Sequence, residues 1–102
     1  MDRIIIKCRK LLEKAYGDRF VGLIMYGSSA RGEARNDSDF DLLVLLKGPI
    51  DYFEELGSIT DLLYPIQLES ERLISARPAD VEEYQNGRLQ LYRNALREGV
   101  SL

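Results

Sequence analysis

The most informative segment of the sequence covers residues 26–46 and reads YGSSARGEARNDSDFDLLVLL. It begins at the end of one apolar run, residues 19–26, and finishes with a second, residues 40–46. Short runs rich in branched and aromatic side chains predict buried strands. The second run is apolar on both faces after its first turn, which predicts a central strand. The polar sequence between them predicts a short helix beginning at Ser28 or Ser29, because serine favours the residue that caps a helix.

Glycine, serine and aspartate at the facing ends of these strands predict a site for phosphate and metal. Gly27 has no Cβ, so the backbone can turn sharply there and approach a ligand closely. A helix that begins at Ser28 or Ser29 would direct its free N–H groups and the positive end of its dipole toward a phosphate. Side chains alternate along a strand, so Asp39 and Asp41 project from the same face. Two such carboxylates can bind Mg²⁺ jointly with substrate phosphates.

Two arginines one helical turn apart, Arg31 and Arg35, add positive charge to the predicted site. Their guanidinium groups suit the negative charge that develops on a phosphate during transfer. Taken singly, each feature also has an ordinary structural interpretation: a turn, a solvated start of a strand, or exposed surface charge. The combination of strand, Gly-Ser turn, short helix and paired aspartates is far more restrictive than any of its parts.

This combination resembles the signature of the DNA polymerase β-like nucleotidyltransferase superfamily, a Gly-Ser followed by paired aspartates on the next strand. In detail it is similar to the minimal nucleotidyltransferases, whose sequences read GSxARGxAxxxSDxDLLV. The matching positions are Gly27, Ser28, Ala30, Arg31, Gly32, Ala34, Ser38, Asp39, Asp41, Leu42, Leu43 and Val44. The last segment, residues 82–102, is similar to the C-terminal end of one branch of this group. The resemblance therefore extends over the whole chain.

The resemblance implies an α/β (α+β) fold, a small mixed β-sheet with helices packed against it, in one domain covering residues 1–102. It implies an enzyme that transfers a nucleoside monophosphate, AMP from ATP, to an acceptor hydroxyl while pyrophosphate leaves. Asp39 and Asp41 would hold two Mg²⁺ ions that stabilise the attacking and departing oxygens. The predicted nucleotide-binding residues are Gly27, Ser28, Ser29 and Arg31.

Amphipathic helices are predicted at both ends of the chain. Apolar residues between positions 2 and 16 follow one helical stripe, with Lys and Arg opposite. A short acidic helical turn is predicted at residues 80–86, and a last helix from Arg88 to about Glu98. The apolar stripe of that last helix, predicted to pack in the core, comprises Leu89, Tyr92, Ala95 and Leu96.

The middle of the chain allows two arrangements. Apolar residues between positions 53 and 66 recur at spacings of three and four, which predicts a helix that contains Pro65. A proline removes one helical hydrogen bond and clashes with the preceding turn. We favour a kinked helix followed by a third strand at residues 73–77. The alternative ends the helix early and makes a strand of residues 64–70.

The superfamily that this chain resembles usually adds a third carboxylate from the next strand, which helps to activate the acceptor hydroxyl. In the favoured arrangement, Ser75 or Ala76 stands where that acid is expected. In the alternative arrangement Glu69 takes the position, and Glu71 is a further candidate. The favoured arrangement predicts a site with two acids and slower transfer. It also leaves open an alternative function, a nucleotide-binding module that acts by binding its partner.

Composition excludes several other classes of protein. The net charge of −3 and the pI near 5.0 argue against binding DNA, which depends on neutralising many phosphates. Histidine is absent, so a histidine general base, a Ser-His-Asp triad and a histidine-bound metal are excluded. The one cysteine, Cys8, excludes an internal disulfide and fits a reducing cytoplasm. No stretch reads as an export signal or a membrane span.

The small size of the chain predicts a partner. Larger members of the superfamily use an additional domain to hold the acceptor, and 102 residues leave no room for one. The missing wall would come from a second copy of the chain or from another protein. Minimal nucleotidyltransferases are commonly encoded beside small helical HEPN proteins, and some act as antitoxins that adenylylate a tyrosine of that toxin. The resemblance therefore implies a HEPN-type partner.

Overall fold

The computed structural model describes residues 2–27, residue 30 and residues 39–102. The helices in this part of the chain are α1 (Arg3–Tyr16), α2 (Tyr52–Glu69), α3 (Val81–Gln85) and α4 (Gln90–Glu98). The strands are β1 (Phe20–Tyr26), β2 (Phe40–Leu46), β3 (Ile74–Asp80) and β4 (Val100–Ser101). None of the described helices has the length and apolar character needed to cross a membrane.

The described strands form one mixed sheet in the order β3-β2-β1-β4. Strand β2 runs antiparallel to β1 and parallel to β3, and β4 pairs antiparallel with β1. The central position predicted for β2 is confirmed, and every side chain from Leu42 to Leu46 is buried. The small mixed sheet with helices, expected from the resemblance, is confirmed as well.

One face of the sheet is covered by α1 and α2. The carboxylate of Asp2 caps α1 by accepting a hydrogen bond from the Ile4 N–H at 2.8 Å, which satisfies one of the free donors at the helix start. The buried residues of the two helices are Ile5, Cys8, Leu12, Ile59, Leu63 and Ile66. They pack against every second side chain of β2, namely Leu42, Val44 and Leu46. The predicted helix at residues 2–16 is thus confirmed together with its buried face.

The helix containing Pro65 is confirmed, and α2 continues through this residue to its end. The alternative in which residues 64–70 form a strand is wrong. The side chain of Gln67 instead joins the end of α2 to the next strand. Its amide nitrogen donates to the Arg72 carbonyl at 3.1 Å, and its amide oxygen accepts from the Ile74 N–H at 2.7 Å. These two hydrogen bonds position the start of β3.

The other face of the sheet is covered by α3 and α4. The Asp80 carboxylate caps α3 by accepting a hydrogen bond from the Glu82 N–H at 2.9 Å. The helical turn predicted at residues 80–86 is confirmed. The buried residues on this side are Ile24, Leu43, Leu45, Ala79, Tyr84, Tyr92 and Ala95. The side chains of β2 that point here alternate with those that contact α1 and α2.

The core stripe predicted for the last helix is partly wrong. Tyr92 and Ala95 are buried, but Leu89 and Leu96 leave 49% and 47% of their surface exposed. Leu89 precedes α4 as its N-cap residue. Leu96 lies about 100° around the helix axis from Ala95, because successive residues are rotated by that angle. The face of α4 that meets the sheet is therefore narrower than the apolar stripe.

Candidate active site

The paired aspartates lie where β2 begins. Asp39 directly precedes the strand, and Asp41 is its second residue. The sheet register places Asp41 opposite Tyr26 of β1 and opposite Ser75 of β3. Paired residues of neighbouring strands project to the same face of a sheet. The end of β1 and the starts of β2 and β3 therefore bring Tyr26, Asp41 and Ser75 together on the face that α3 and α4 cover. This end of the three strands forms one edge of that face.

Gly27 lies directly against the carboxylate of Asp41. A Cβ atom built on Gly27 would lie 2.6 Å from Asp41 Oδ2, which is closer than van der Waals contact allows. The backbone φ of Gly27 is 75°, a conformation that glycine adopts readily and other residues rarely do. Its carbonyl accepts a hydrogen bond from the Ala30 N–H at 3.2 Å. The absence of a side chain at Gly27 keeps the space beside the carboxylate open.

The pKa of Asp41 is raised above its usual range. Burial is the largest cause, and the negative charge of Asp39 adds to it, whereas the positive charge of Arg77 acts in the opposite direction. The two carboxylates therefore repel each other in a partly buried setting. A cation bound by both would relieve this repulsion, and carboxylate oxygens are the ligands that Mg²⁺ prefers. The residues present fit a divalent metal ion.

Tyr26 and Arg77 lie at this edge although the sequence pattern did not indicate them as site residues. The pKa of Tyr26 is raised, mainly by burial, while the charge of Arg77 lowers it and the charge of Asp41 raises it. The three groups thus share one electrostatic environment. In the sequence, Tyr26 is only the end of an apolar run, and Arg77 only the end of the predicted strand at residues 73–77. Their proximity depends on the pairing between strands, which no local pattern specifies.

A third carboxylate does not join the pair in the part of the chain that the structure describes. There, no group of three or more His, Cys, Asp or Glu residues could hold a metal ion. Ser75 lies on the face of the paired aspartates, as one of the two predicted positions requires. The other predicted position, Ala76, is wrong, because alternation along β3 turns this residue to the opposite face, where it packs against the core under α1 and α2.

Glu69 and Glu71, the alternative candidates for the third acid, lie on the other side of the sheet. The Glu69 carboxylate pairs with Lys7 Nζ at 2.8 Å, and the hydrogen bond from Lys7 is the main reason that the pKa of Glu69 is lowered. Glu71 is exposed in the connection from α2 to β3. Both residues line a cavity of about 330 Å³ that Phe40 also borders. Phe40 alternates with Asp41 along β2, so this cavity opens on the face of α1 and α2.

The predicted nucleotide-binding residues Ser28, Ser29 and Arg31 lie outside the residues that the structure describes. The same holds for Arg35 and for the helix predicted to begin at Ser28 or Ser29. Gly27 is the member of the predicted nucleotide-binding set whose position is described, and it lies next to Asp41.

Nearly the whole chain is similar to one known protein family. Residues 5–102 match the family model of the nucleotidyltransferase domain. The chain belongs to the nucleotidyltransferase domain family, and it is by family a transferase. The resemblance carried by the Gly-Ser turn and the paired aspartates is confirmed at this level.

Two solved structures share the fold. One, described as a candidate minimal nucleotidyltransferase, has 24% sequence identity and a TM-score of 0.56, with 100% of this chain and 97% of that chain covered. The other, a toxin–antitoxin crystallised with AMP-PNP, has 17% identity and a TM-score of 0.51, with 96% of this chain and 68% of that chain covered. At these identities the similarity concerns the fold. No curated protein matches the chain.

Proposed function

We propose that residues 1–102 form a single minimal nucleotidyltransferase domain that transfers AMP from ATP to a hydroxyl group of a HEPN-type toxin partner. Family membership supports nucleotidyl transfer in general. The observation that carries the proposal is the edge where Gly27 packs against Asp41 and where Asp39 and Asp41 lie at the start of the same buried strand. The structural neighbour that is a toxin–antitoxin with AMP-PNP supports a protein partner and an adenine nucleotide.

Asp39 and Asp41 are the proposed metal-binding residues. The charge of Asp39 contributes to the raised pKa of Asp41, so a hard divalent cation such as Mg²⁺ would be held most favourably where both carboxylates reach it. When bound there, Mg²⁺ would supply positive charge to phosphate oxygens as negative charge develops on them. A second ion would take further ligands from the substrate phosphates, since the described residues offer no third carboxylate.

The turn after β1 is proposed to position the nucleotide. Gly27 keeps the space beside the Asp41 carboxylate clear of a side chain, which leaves room for a phosphate group to approach. Ser28, Ser29 and Arg31 follow this turn in the sequence, and we assign them to the triphosphate. Backbone N–H groups and a guanidinium are the donors that phosphate oxygens accept best.

The proposed reaction is an in-line displacement at the α-phosphorus of ATP. The acceptor oxygen forms a bond to this phosphorus, the bond to the bridging oxygen of the β-phosphate breaks, and pyrophosphate leaves. The acceptor hydroxyl loses its proton in the same reaction. Because the described residues offer no third carboxylate beside the pair, we assign the acceptance of this proton to the partner or to water.

The lack of a third carboxylate among the described residues favours a second candidate function. This is a nucleotide-binding antitoxin that acts by binding its partner and transfers little or no nucleotide. Ser75 faces Asp41 across the parallel strands, where a carboxylate would complete a three-acid site. The two functions predict the same bound nucleotide and the same partner. They differ in whether the partner gains AMP.

Transfer of radioactive phosphate from ATP labelled at the α-position distinguishes the two functions. The chain is mixed with Mg²⁺, labelled ATP and a HEPN-type protein, and the labelled protein is detected after electrophoresis. We expect label on the partner with the wild-type chain and none with the Asp39→Asn/Asp41→Asn variant. Asp61→Asn is the matched control, because Asp61 is an exposed aspartate of α2.

Two other outcomes of the labelling experiment would lead to different conclusions. A partner that stays bound to the chain and gains no label would establish the binding module. Equal labelling by the wild-type chain and the Asp39→Asn/Asp41→Asn variant would show that the metal assignment is wrong.

A further inference from the structure

Strand β3 presents an arginine to the face of the paired aspartates. The parallel register pairs Ser75 with Asp41 and Arg77 with Leu43. Ser75 and Arg77 are two residues apart, so both project to the same face as Asp41. Neighbouring strands lie about 4.8 Å apart and rise about 3.3 Å per residue, so Arg77 and Asp41 are about 8 Å apart along the diagonal, a gap that an extended arginine side chain can span. Arg77 is thus placed to reach the groups that gather around Asp41.

The position of Arg77 along the strand keeps its side chain in solvent at the border of the core. Two residues further along β3, Ala79 is fully buried in the core under α3 and α4. Arg77 itself is exposed. The guanidinium therefore lies between the covered part of this face and its open edge, and a ligand at the edge can reach it without displacing core side chains.

The charge of Arg77 acts on the site residues of both neighbouring strands. It lowers the pKa of Asp41 on β2 and the pKa of Tyr26 on β1. In the part of the chain that the structure describes, the guanidinium forms no direct hydrogen bond or ion pair. Its donors are therefore available for a further anionic group at this edge.

We propose that Arg77 binds the triphosphate of the nucleotide, so that β3 supplies this site with a phosphate-binding cation. The inference rests on the proposed function, because it takes Asp39 and Asp41 as the centre at which the nucleotide is held. A guanidinium is planar, permanently charged and able to donate two parallel hydrogen bonds to a phosphate. A triphosphate brought next to two carboxylates is strongly repelled, and a fixed positive charge on the adjacent strand reduces that repulsion.

Nucleotide affinity measured by isothermal titration calorimetry tests the role of Arg77. The ligands are ATP, ADP and AMP with Mg²⁺, titrated into the wild-type chain and the variants Arg77→Ala, Arg77→Lys and Arg77→Glu. We expect Arg77→Ala to weaken ATP binding about 10- to 100-fold, the scale of hydrogen bonds to a charged group. The loss should decrease from ATP to AMP as phosphates are removed. Arg77→Lys should retain part of the affinity, because the charge remains while the paired donors are lost.

The matched control is Arg88→Ala, which removes the same charge from an exposed arginine. Arg88 follows α3 in the chain, and its guanidinium pairs with Glu83 at 3.1 Å. This variant should bind ATP as tightly as the wild-type chain. Equal losses of ATP affinity in Arg77→Ala and Arg88→Ala would show that the effect depends on net charge alone and would overturn the proposal.

The Arg77→Glu variant tests the opposite idea, that this position on β3 requires an acid. If Arg77 binds phosphate, the glutamate adds a negative charge and ATP binding falls below that of Arg77→Ala. Increased binding or transfer by Arg77→Glu would overturn the proposal. Wild-type affinity in Arg77→Ala, together with lost binding in Asp41→Asn, would refute the role of Arg77 and leave the proposed function intact. Failure of the wild-type chain and the Asp41→Asn variant alike to bind ATP would refute both.

Discussion

Replacement of Gly27 by alanine perturbs the turn that lies against Asp41. A side chain at a φ of 75° costs about 1–2 kcal/mol. The new Cβ would lie 2.6 Å from Asp41 Oδ2, so the aspartate must leave its rotamer, at a cost of about 0.5–1.5 kcal/mol. The free energy of unfolding should fall by about 1.5–3.5 kcal/mol. In the middle of this range, Tm falls by roughly 10–20 °C for a domain of this size.

Two other glycines separate the contributions to this effect. Gly17 also has a positive φ, of 56°, but nothing lies within 4 Å of its built Cβ. Gly57 is an exposed residue inside α2, also with nothing within 4 Å. Gly17→Ala should therefore destabilise the chain and leave ATP binding unchanged, whereas Gly57→Ala should stabilise it by about 0.5–1 kcal/mol.

Urea unfolding and Mg²⁺-dependent ATP binding are measured on all three variants. We expect Gly27→Ala to lose both stability and nucleotide affinity, because the displaced carboxylate is the proposed metal ligand. Wild-type stability and wild-type ATP affinity in Gly27→Ala would refute the close packing of Gly27 on Asp41 and the role assigned to it.

Three further predictions concern charged and polar groups. Burial and the charge of Asp39 raise the pKa of Asp41, so the wild-type chain should lose stability as the pH rises from the usual carboxyl pKa toward the raised one. Asp41→Asn should lack this loss and be the more stable protein near neutral pH in urea unfolding; a less stable variant would contradict the assignment. Burial raises the pKa of the Cys8 thiol to about 11, so iodoacetamide should label Cys8 only after unfolding, and mass spectrometry that finds rapid labelling of the folded chain would exclude its burial. Tyr16→Phe removes the hydrogen bond that the tyrosine hydroxyl donates to Glu55 at 2.8 Å and should cost about 1 kcal/mol in urea unfolding; unchanged stability would show that the bond contributes nothing.

The elements that could be predicted from the sequence are those in which the local spacing of apolar residues determines the structure. Helix α1 was expected at residues 2–16 because its apolar residues form one stripe, and this stripe meets the sheet. The helix through Pro65 was also predicted from its apolar spacing. Pro65 is exposed, so its ring does not disturb the buried residues Ile59, Leu63 and Ile66. The spacing of the apolar residues therefore predicts this helix correctly despite the proline.

Strand β3 extends beyond its predicted end because of its place in the sheet. The predicted strand ended at Arg77, one residue before Pro78, which cannot donate a backbone hydrogen bond. Among the described residues β3 is an edge strand whose one partner is β2, and its pairing continues through Pro78 to Asp80. A proline is tolerated in an edge strand because one side of the backbone needs no partner. The edge position is a tertiary property that the local sequence does not show.

The candidate site could be predicted from the sequence only in part, because some of its residues come together through tertiary structure. Gly27, Asp39 and Asp41 stand out because their residue types and spacing are unusual together. Tyr26 and Arg77 join them only through the pairing of three strands. A shift of one residue in that pairing would reverse which side chains share the face. The sequence does not specify the register, so it could not decide between Ser75 and Ala76, and the expectation for Ala76 was wrong.

Thermal unfolding with and without ATP, each with and without Mg²⁺, tests the claim that Asp39 and Asp41 hold a metal-dependent nucleotide site. Ligand at about 100 times its Kd stabilises the folded chain by about 2.7 kcal/mol, which corresponds to a rise in Tm of roughly 10 °C or more for a domain of this size. We expect this rise in the wild-type chain only when ATP and Mg²⁺ are both present. The Asp39→Asn/Asp41→Asn variant should show no rise. A rise of equal size in that variant, or no rise in the wild-type chain under any of the four conditions, would contradict the claim.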